Sequence, residues 1–329
     1  MPSPSSAFAP GIDPATYVTH ALHDAARDWP QTNCYADLWI EAVAARGGDP
    51  RAMFGFTAAL DFEGDQFTFF KPSLDEIETL YGLGVFELSV YDNLPAHIAA
   101  QCARGRLVMV EVDAFHLPDT RGVSYRIEHS KTTIGVNAFD PAARRADFFH
   151  NEGYFRADGE DFVRLFRLAP EPEEALPPYA EIVKPLGAAL APDAARDAAR
   201  AMLQRHLARR PARNPILAFA DAAPSLIEAA RARDPGFFHK LAFNTLRQLG
   251  ANFELLADHL VWLDAAPFAQ ASELSRSVSA GAKAQQFVLA RAMMRNKPFD
   301  DSALRELARI YDDLFDALAG ARAWRLRAS

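Results

Sequence analysis

The fold of the first half of the chain is organised around residues 32–40, TNCYADLWI, where a polar turn gives way to an apolar helix. Apolar side chains recur from Leu38 onward at helical spacing, which predicts a helix over residues 34–45, closed by Gly47 and Gly48. Cys34 then falls at a helix N-terminus, where unpaired backbone N–H groups and the helix dipole favour the thiolate. The alternative interpretation of Cys34 is a small buried residue without chemical function.

The composition excludes several classes of protein. The net charge is −8, and residues 1–170 carry 24 acidic and 14 basic side chains, so the first half lacks the basic face that nucleic-acid binding needs. Residues 171–329 carry 19 acidic and 21 basic side chains, a balance that can accept an acidic partner. Cys34 and Cys102 are the only cysteines, which argues against a disulfide framework and predicts a reducing cytoplasm.

The sequence predicts neither membrane insertion nor secretion. No apolar run approaches the roughly 18 residues that indicate a transmembrane helix. Residues 1–24 are rich in proline, serine and alanine and lack the basic start and apolar core of a signal peptide, so they are interpreted as a loose N-terminal segment.

The order of the predicted elements indicates an α+β domain followed by a helical domain. Predicted helices come first, and the predicted strands gather later, with the clearest buried strand at residues 107–113. Residues 170–178 are rich in proline and glutamate and form the natural linker. We therefore predict an α+β domain over residues 25–169 and an all-α domain over residues 179–329.

A cysteine nucleophile needs a base and a polar group that orients the base. His129, before a predicted strand, is the candidate base, and Asn151 or His150 on the next strand is the candidate orienting residue. The alternative for His129 is a surface histidine, and His150, next to two phenylalanines, is alternatively a core histidine.

Two further groups of polar residues have binding potential. The loop that contains Asp65 and Gln66 carries closely spaced carboxylates that could bind an amine, although its spacing fits no metal-binding loop and we predict no metal site. The second half holds a basic cluster, interpreted either as a solvated helix face or as a docking patch for an acidic protein: Arg205, Arg209, Arg210 and Arg213.

Several motifs together resemble a known family. Cys34 after Asn33, the loop VDAFHLP at residues 112–118, the segment at 125–129 and the strand at 132–140 are similar to the N-terminal domain of the butirosin-biosynthesis side-chain acyltransferase. That domain is similar to papain-like cysteine peptidases, and the likeness covers residues 30–168. The whole chain resembles a bacterial family of uncharacterised proteins. In this alignment the family's histidine falls at Thr132, three residues after His129.

The resemblance implies a papain-like domain that catalyses acyl or aminoacyl transfer. Cys34 would accept the group from a carrier-protein thioester and pass it to a small amine, with His129 as base and Asn151 or His150 orienting it. Backbone N–H groups near Cys34, with Asn33, would hold the oxyanion, and Asp113, Asp65 and Gln66 would contact the substrate. No resident cofactor is implied, because the partner protein carries the phosphopantetheine.

Two other functions stay open at this stage. The same residues are compatible with a cysteine peptidase or amidase that hydrolyses its substrate without a carrier protein. A non-catalytic module that binds a carrier protein through its helical half is the alternative outside enzymes.

Overall fold

The structure is a computed structural model that describes residues 7–168, 176–233, 236–295 and 299–328. The chain divides into two compact units, each described here by itself. Unit 1 comprises Met1–Ala25, Asn33–Pro50 and Leu74–Leu190, and unit 2 comprises Ala26–Thr32, Arg51–Ser73 and Ala191–Ser329.

Unit 1 contains one six-stranded antiparallel sheet with the strand order β1-β6-β2-β3-β4-β5. The last strand in the chain thus lies between the first two. The strands are β1 (Leu83–Glu87), β2 (Leu107–Asp113), β3 (Lys131–Asp140), β4 (Arg145–His150), β5 (Gly153–Asp158) and β6 (Ala180–Pro185).

Helices cover both faces of this sheet. The helices are α1 (Cys34–Ala44), α2 (Leu74–Tyr81), α3 (Leu94–Cys102) and α4 (Gly159–Leu165). Helix α1 lies on the face to which Gly135 belongs, since a Cβ added at Gly135 would be 3.3 Å from the Leu38 side chain. The opposite face carries the main apolar core, in which Ile98 of α3 and Phe162 of α4 pack with Ile134 and Phe148. Side chains alternate along a strand, so residues two positions apart lie on the same face of the sheet and adjacent residues lie on opposite faces.

A buried polar cluster lies against α1. Asp37 and Glu41 are one helical turn apart on α1, and His23 lies against both, with Nδ1 2.5 Å from Glu41 and Nε2 3.4 Å from Asp37. The Tyr17 hydroxyl donates to the other Glu41 oxygen at 2.6 Å. Burial lowers the pKa of His23, but its interactions with Asp37 and Glu41 outweigh that effect and raise the pKa to about 9. His23 is therefore a buried imidazolium at neutral pH.

Unit 2 is helical. It contains α5 (Pro192–Ala208), α6 (Pro215–Arg231), α7 (Phe237–Ala242), a π-helical turn (Phe243–Arg247), α8 (Gln248–Arg295) and α9 (Ser302–Ala328), and most of a 3-10 segment (Pro50–Ala59). Helix α8 is broken at Asp264, whose φ is −175°. Pro267 explains the break, because its ring lacks an N–H and clashes with the carbonyl of residue 263.

The side chain of Trp29 is an anchor of unit 2. Its indole packs directly on Gly250 of α8 and donates from Nε1 to Ser279 at 3.0 Å, while its backbone N donates to Glu254 at 3.1 Å. Lys283 Nζ lies 4.4 Å from the ring centre. The tryptophan is 3% exposed, so the glycine is the position on α8 that makes room for it.

The predicted fold class is confirmed at the level of an α+β part followed by a helical part. Strands β5 and β6 were not predicted, and β6 places the end of unit 1 at Leu190, beyond the predicted boundary at 169. Of the predicted linker, residues 170–175 lie outside the described residues. Among the residues that the structure describes, no helix is both long and apolar enough to cross a membrane.

Candidate active site

The candidate site is built where β2 ends and β3 begins. Asp113, the last residue of β2, pairs in register with Lys131, the first residue of β3, so residues 114–130 form a loop whose two ends meet. This arrangement places Asp113 next to His129. Their side chains are joined by a contact of 2.5 Å between Asp113 Oδ2 and His129 Nδ1.

Asp113 is held as a carboxylate by donors at both ends of the loop. Its Oδ1 accepts from the backbone N–H of Phe115 at 3.0 Å and from that of Ser130 at 3.3 Å. Partial burial raises the pKa of Asp113, but the hydrogen bond from His129 and those from the backbone lower it below its usual value. An ionised carboxylate only accepts hydrogen bonds, so His129 Nδ1 carries the proton of this contact.

His129 has the orientation of a general base. Its ring stacks on Phe115 with the ring centres 4.3 Å apart and the planes 11° apart, which fixes the imidazole plane. The side chain is 72% exposed. With the proton on Nδ1, the Nε2 of the neutral ring is a hydrogen-bond acceptor that a substrate can reach.

A cavity of about 660 Å³ opens at this pair, within unit 1. Its polar lining includes three cationic side chains, two carboxylates, two histidines and a tyrosine: Lys131, Arg164, Arg167, Glu111, Asp113, His116, His129 and Tyr179. Burial lowers the pKa of His116, with a smaller opposing effect of Asp113, so His116 is neutral at pH 7. The cavity therefore combines imidazole side chains with cationic groups that attract anions.

The cations at the cavity are positioned by neighbours. Lys131 Nζ lies 2.6 Å from Glu111, and Arg164 Nε lies 2.8 Å from Glu160. Arg167 donates to the carbonyl of Leu176 at 2.7 Å. Lys131 and Arg164 keep donors beyond the contacts just given, since an ammonium has three N–H bonds and a guanidinium has five.

A second cluster, the Thr132–His150–Asp119 chain, lies on the core face beside the cavity. Thr132 Oγ1 is 2.8 Å from His150 Nε2, and His150 Nδ1 is 2.6 Å from Asp119 Oδ2. The side chains of His150 and Asp119 are 1% and 4% exposed. Thr132 pairs in register with Val112, which lines the cavity, so the chain lies directly behind the cavity wall.

Cys34 lies on the other face of the sheet. It is the first residue of α1 and is half-buried, and the Asn33 side chain caps the helix by accepting from Ala36 N at 2.9 Å. Thr132 is three positions from Gly135 and so faces away from α1. Among the described residues the structure records no hydrogen bond between Cys34 and a histidine.

Comparison with protein families shows to which family the chain belongs. The DUF1839 N-terminal domain matches residues 18–185, and the DUF1839 C-terminal domain matches residues 192–320. The chain belongs to the DUF1839 family. The boundary between these two domains, between residues 185 and 192, lies at the end of unit 1 at Leu190, although two segments of the N-terminal match, Ala26–Thr32 and Arg51–Ser73, belong to unit 2 of the DUF1839 chain. No match is found among curated proteins.

The structure of this DUF1839 protein brings some of the predicted site residues together. Asp113 and His129 form the pair at the cavity, whereas among the described residues no hydrogen bond joins Cys34 to His129. His150 bonds to Thr132 and Asp119. Asn151 has a φ of 44° and forms the two-residue turn between β4 and β5, a conformation that asparagine tolerates well.

The remaining predicted residues of the DUF1839 chain lie in unit 2. Asp65 and Gln66 are exposed in a tight turn closed by a bond of 2.8 Å between Glu63 N and Gln66 O. The four arginines of the basic cluster are exposed: Arg205, Arg209, Arg210 and Arg213. Arg210 contacts the Phe315 ring at 4.4 Å, and Arg213 contacts Asp221 at 2.6 Å.

Sequence reasoning did not identify Asp119, which carried no signal beyond its position in a loop. His150 was named from the sequence, but its contacts with Asp119 and Thr132 depend on the pairing of β4 with β3. Within the described residues, no group of three or more histidine, cysteine, aspartate or glutamate side chains could hold a metal ion.

Proposed function

We propose that this DUF1839 protein transfers an acyl or aminoacyl group from a carrier-protein thioester to a small amine, in the cavity at the Asp113–His129 pair. The single observation that carries the proposal is the contact of 2.5 Å between Asp113 and His129 Nδ1, which leaves Nε2 as an exposed acceptor at the cavity. General-base catalysis of this kind typically contributes about 10²–10⁴-fold to a rate.

The proposed transfer needs no cofactor. The amine nitrogen attacks the thioester carbonyl carbon and forms a C–N bond, while His129 Nε2 takes the proton that the nitrogen loses. The C–S bond then breaks, and the departing thiolate takes the proton from His129. Asp113 stabilises the imidazolium between these two events, because its carboxylate faces Nδ1–H throughout.

The charges of the cavity support an anionic donor. Lys131 and Arg164 offer N–H donors at its wall, and a guanidinium suits the geometry of a phosphate. The phosphate of a phosphopantetheine arm is such a group. In this proposal the exposed arginines at the end of α5 bind the acidic surface of the carrier protein.

A covalent version of the same transfer uses Cys34. A papain-like enzyme would form an acyl-cysteine first, and Cys34 is the first residue of a helix that Asn33 caps. The two versions differ in one observable: only the covalent version produces an acyl adduct that disappears in Cys34→Ala.

The test combines single-turnover transfer with intact-protein mass spectrometry. A carrier protein loaded with glycine is mixed with the protein and an amine, and the rate is measured for wild type, His129→Gln, Asp113→Asn and Cys34→Ala. We expect His129→Gln to lower the rate by about 100-fold or more. His239→Gln is the matched control, because His239 is exposed in unit 2 and should leave the rate unchanged. A wild-type rate in His129→Gln would rule out the base assigned here.

The absence of a recorded Cys34–histidine bond among the described residues favours one other function, a non-catalytic module that binds a carrier protein. Binding of the loaded carrier without transfer to any amine, and without an adduct, would support that function. Release of free glycine with no dependence on the amine would instead indicate a hydrolase.

A further inference from the structure

The geometry of the Thr132–His150–Asp119 chain points to a second reactive site. We propose that the Thr132 hydroxyl is a nucleophile, activated by His150 and Asp119, that accepts acyl or phosphoryl groups from small activated esters. This inference rests on the chain itself and does not depend on His129 or on the transfer proposed above.

The order of the atoms sets the direction of proton transfer. Asp119 Oδ2 lies 2.6 Å from His150 Nδ1, and Thr132 Oγ1 lies 2.8 Å from His150 Nε2. A carboxylate accepts hydrogen bonds, so it places the histidine proton on Nδ1 and leaves Nε2 to accept the O–H of Thr132. This is the sequence of hydroxyl, imidazole and carboxylate that hydrolases use to activate a nucleophile.

Burial strengthens the chain and distinguishes it from a merely structural tie. His150 is 1% exposed, and water competes little for its hydrogen bonds. The second carboxylate oxygen, Asp119 Oδ1, is buried without a hydrogen-bond partner among the described residues. A purely structural aspartate is expected to satisfy both oxygens, since an unpaired buried acceptor is destabilising.

The limited exposure of Thr132 restricts the size of a substrate. Thr132 keeps 8% of its surface exposed, and its cross-strand partner Val112, whose side chain faces the same side of the sheet, lines the cavity. A residue with so little exposed surface admits only a small substrate. Short acyl esters and small phosphotriesters therefore form the substrate class.

The proposed reaction has two steps. Thr132 Oγ1 attacks the carbonyl carbon or the phosphorus, its proton moves to His150 Nε2, and the leaving alkoxide or phenolate takes that proton as its bond breaks. Water then attacks the threonyl ester, again giving a proton to His150, and the acid leaves as the hydroxyl re-forms. A phosphotriester is expected to stop after the first step, as such adducts hydrolyse slowly.

The experiment uses diethyl p-nitrophenyl phosphate as a probe of the full-length protein. Intact-protein mass spectrometry measures the diethylphosphoryl adduct over time, and peptide mapping locates it. We expect labelling of wild type and Thr132→Ser, no adduct on Thr132→Val, and labelling that is slower by about 100-fold or more in His150→Gln. Thr133→Val is the matched control for the neighbouring hydroxyl, because Thr133 follows Thr132 in β3 and faces the opposite side of the sheet, and it should be labelled like wild type.

Two outcomes would overturn the inference. One is an adduct that persists in Thr132→Val or maps to another residue. The other is a folded wild-type protein that the probe does not label. If Thr132→Val does not fold, as judged by circular dichroism, the comparison of Thr132→Ser with His150→Gln decides, because equal labelling rates in these two variants would contradict activation by His150.

Discussion

Replacement of His23 by leucine is expected to lower the free energy of unfolding of unit 1 by roughly 3–5 kcal/mol at pH 6. Asp37 and Glu41 are 1% and 0% exposed, and the imidazolium between them is the cation that compensates their burial. Removing one partner of a buried ionic cluster leaves charge without compensation, which is far more destabilising than losing a surface ion pair.

The same cluster predicts how stability depends on pH. The pKa of His23 is about 9 in the folded protein, above the ordinary value of 6.5. Its stabilising contribution, on the order of 3 kcal/mol, is therefore fully present below pH 6.5 and is lost as the pH rises through about 9. We expect the difference between wild type and His23→Leu to shrink over this range.

Hydrogen exchange measured by mass spectrometry distinguishes the effect of the substitution on unit 1 from its effect on unit 2. Peptides from α1 should exchange faster in His23→Leu at pH 6, with exchange times corrected for the intrinsic pH dependence, while peptides from α8 should be unchanged. His239→Leu is the control for loss of a histidine at an exposed position. Equal protection of α1 in wild type and His23→Leu would contradict the buried imidazolium.

Replacement of Gly250 by alanine is expected to destabilise unit 2 by roughly 1–3 kcal/mol. A Cβ at this position would lie 2.5 Å from Trp29 Nε1, closer than side chains tolerate. The indole has no room to move away, because it is 3% exposed and bonded to Ser279. The substitution must therefore displace Trp29 or α8.

The control is a second glycine-to-alanine substitution, which is expected to stabilise the protein. Gly320 lies in α9 with no neighbour within 4 Å of an added Cβ. Gly320→Ala is expected to stabilise its helix by about 0.5–1 kcal/mol, since alanine has the better helix propensity. Thermal unfolding followed by circular dichroism compares the two variants, and a stabilised Gly250→Ala would show that Trp29 does not pack as described.

The elements that sequence periodicity predicted are those whose pattern was strong and local. Helix α1 followed from the polar turn before Cys34 and the apolar run after it, and β2 from seven residues that include five apolar side chains. Strands β5 and β6 were missed because their sequences, GYFRAD and AEIVKP, show neither a continuous apolar run nor a clean alternation of apolar and polar residues. Short strands like these gain their stability from the partner strands, which a single segment does not display.

The residues of the candidate site were also predicted only in part from the sequence. Asp113 and His129 were each identified from the sequence, but their pairing needed the register of β2 against β3. The cluster of His23, Asp37 and Glu41 was not predicted from the sequence. His23 lies before α1 in the chain, and its contacts with the two carboxylates are defined only by the folded structure.

The position of β6 has a consequence for how the protein is made. Strand β1 pairs with β6, and β6 also pairs with β2, so β1 joins the sheet only through a strand that lies about a hundred residues later in the chain. While the ribosome is still synthesising residues 107–179, the exposed edges of β1 and β2 have no strand between them. Such open edges are sites of misassociation between nascent chains, and a truncated chain that ends before Ala180 would retain this hazard permanently.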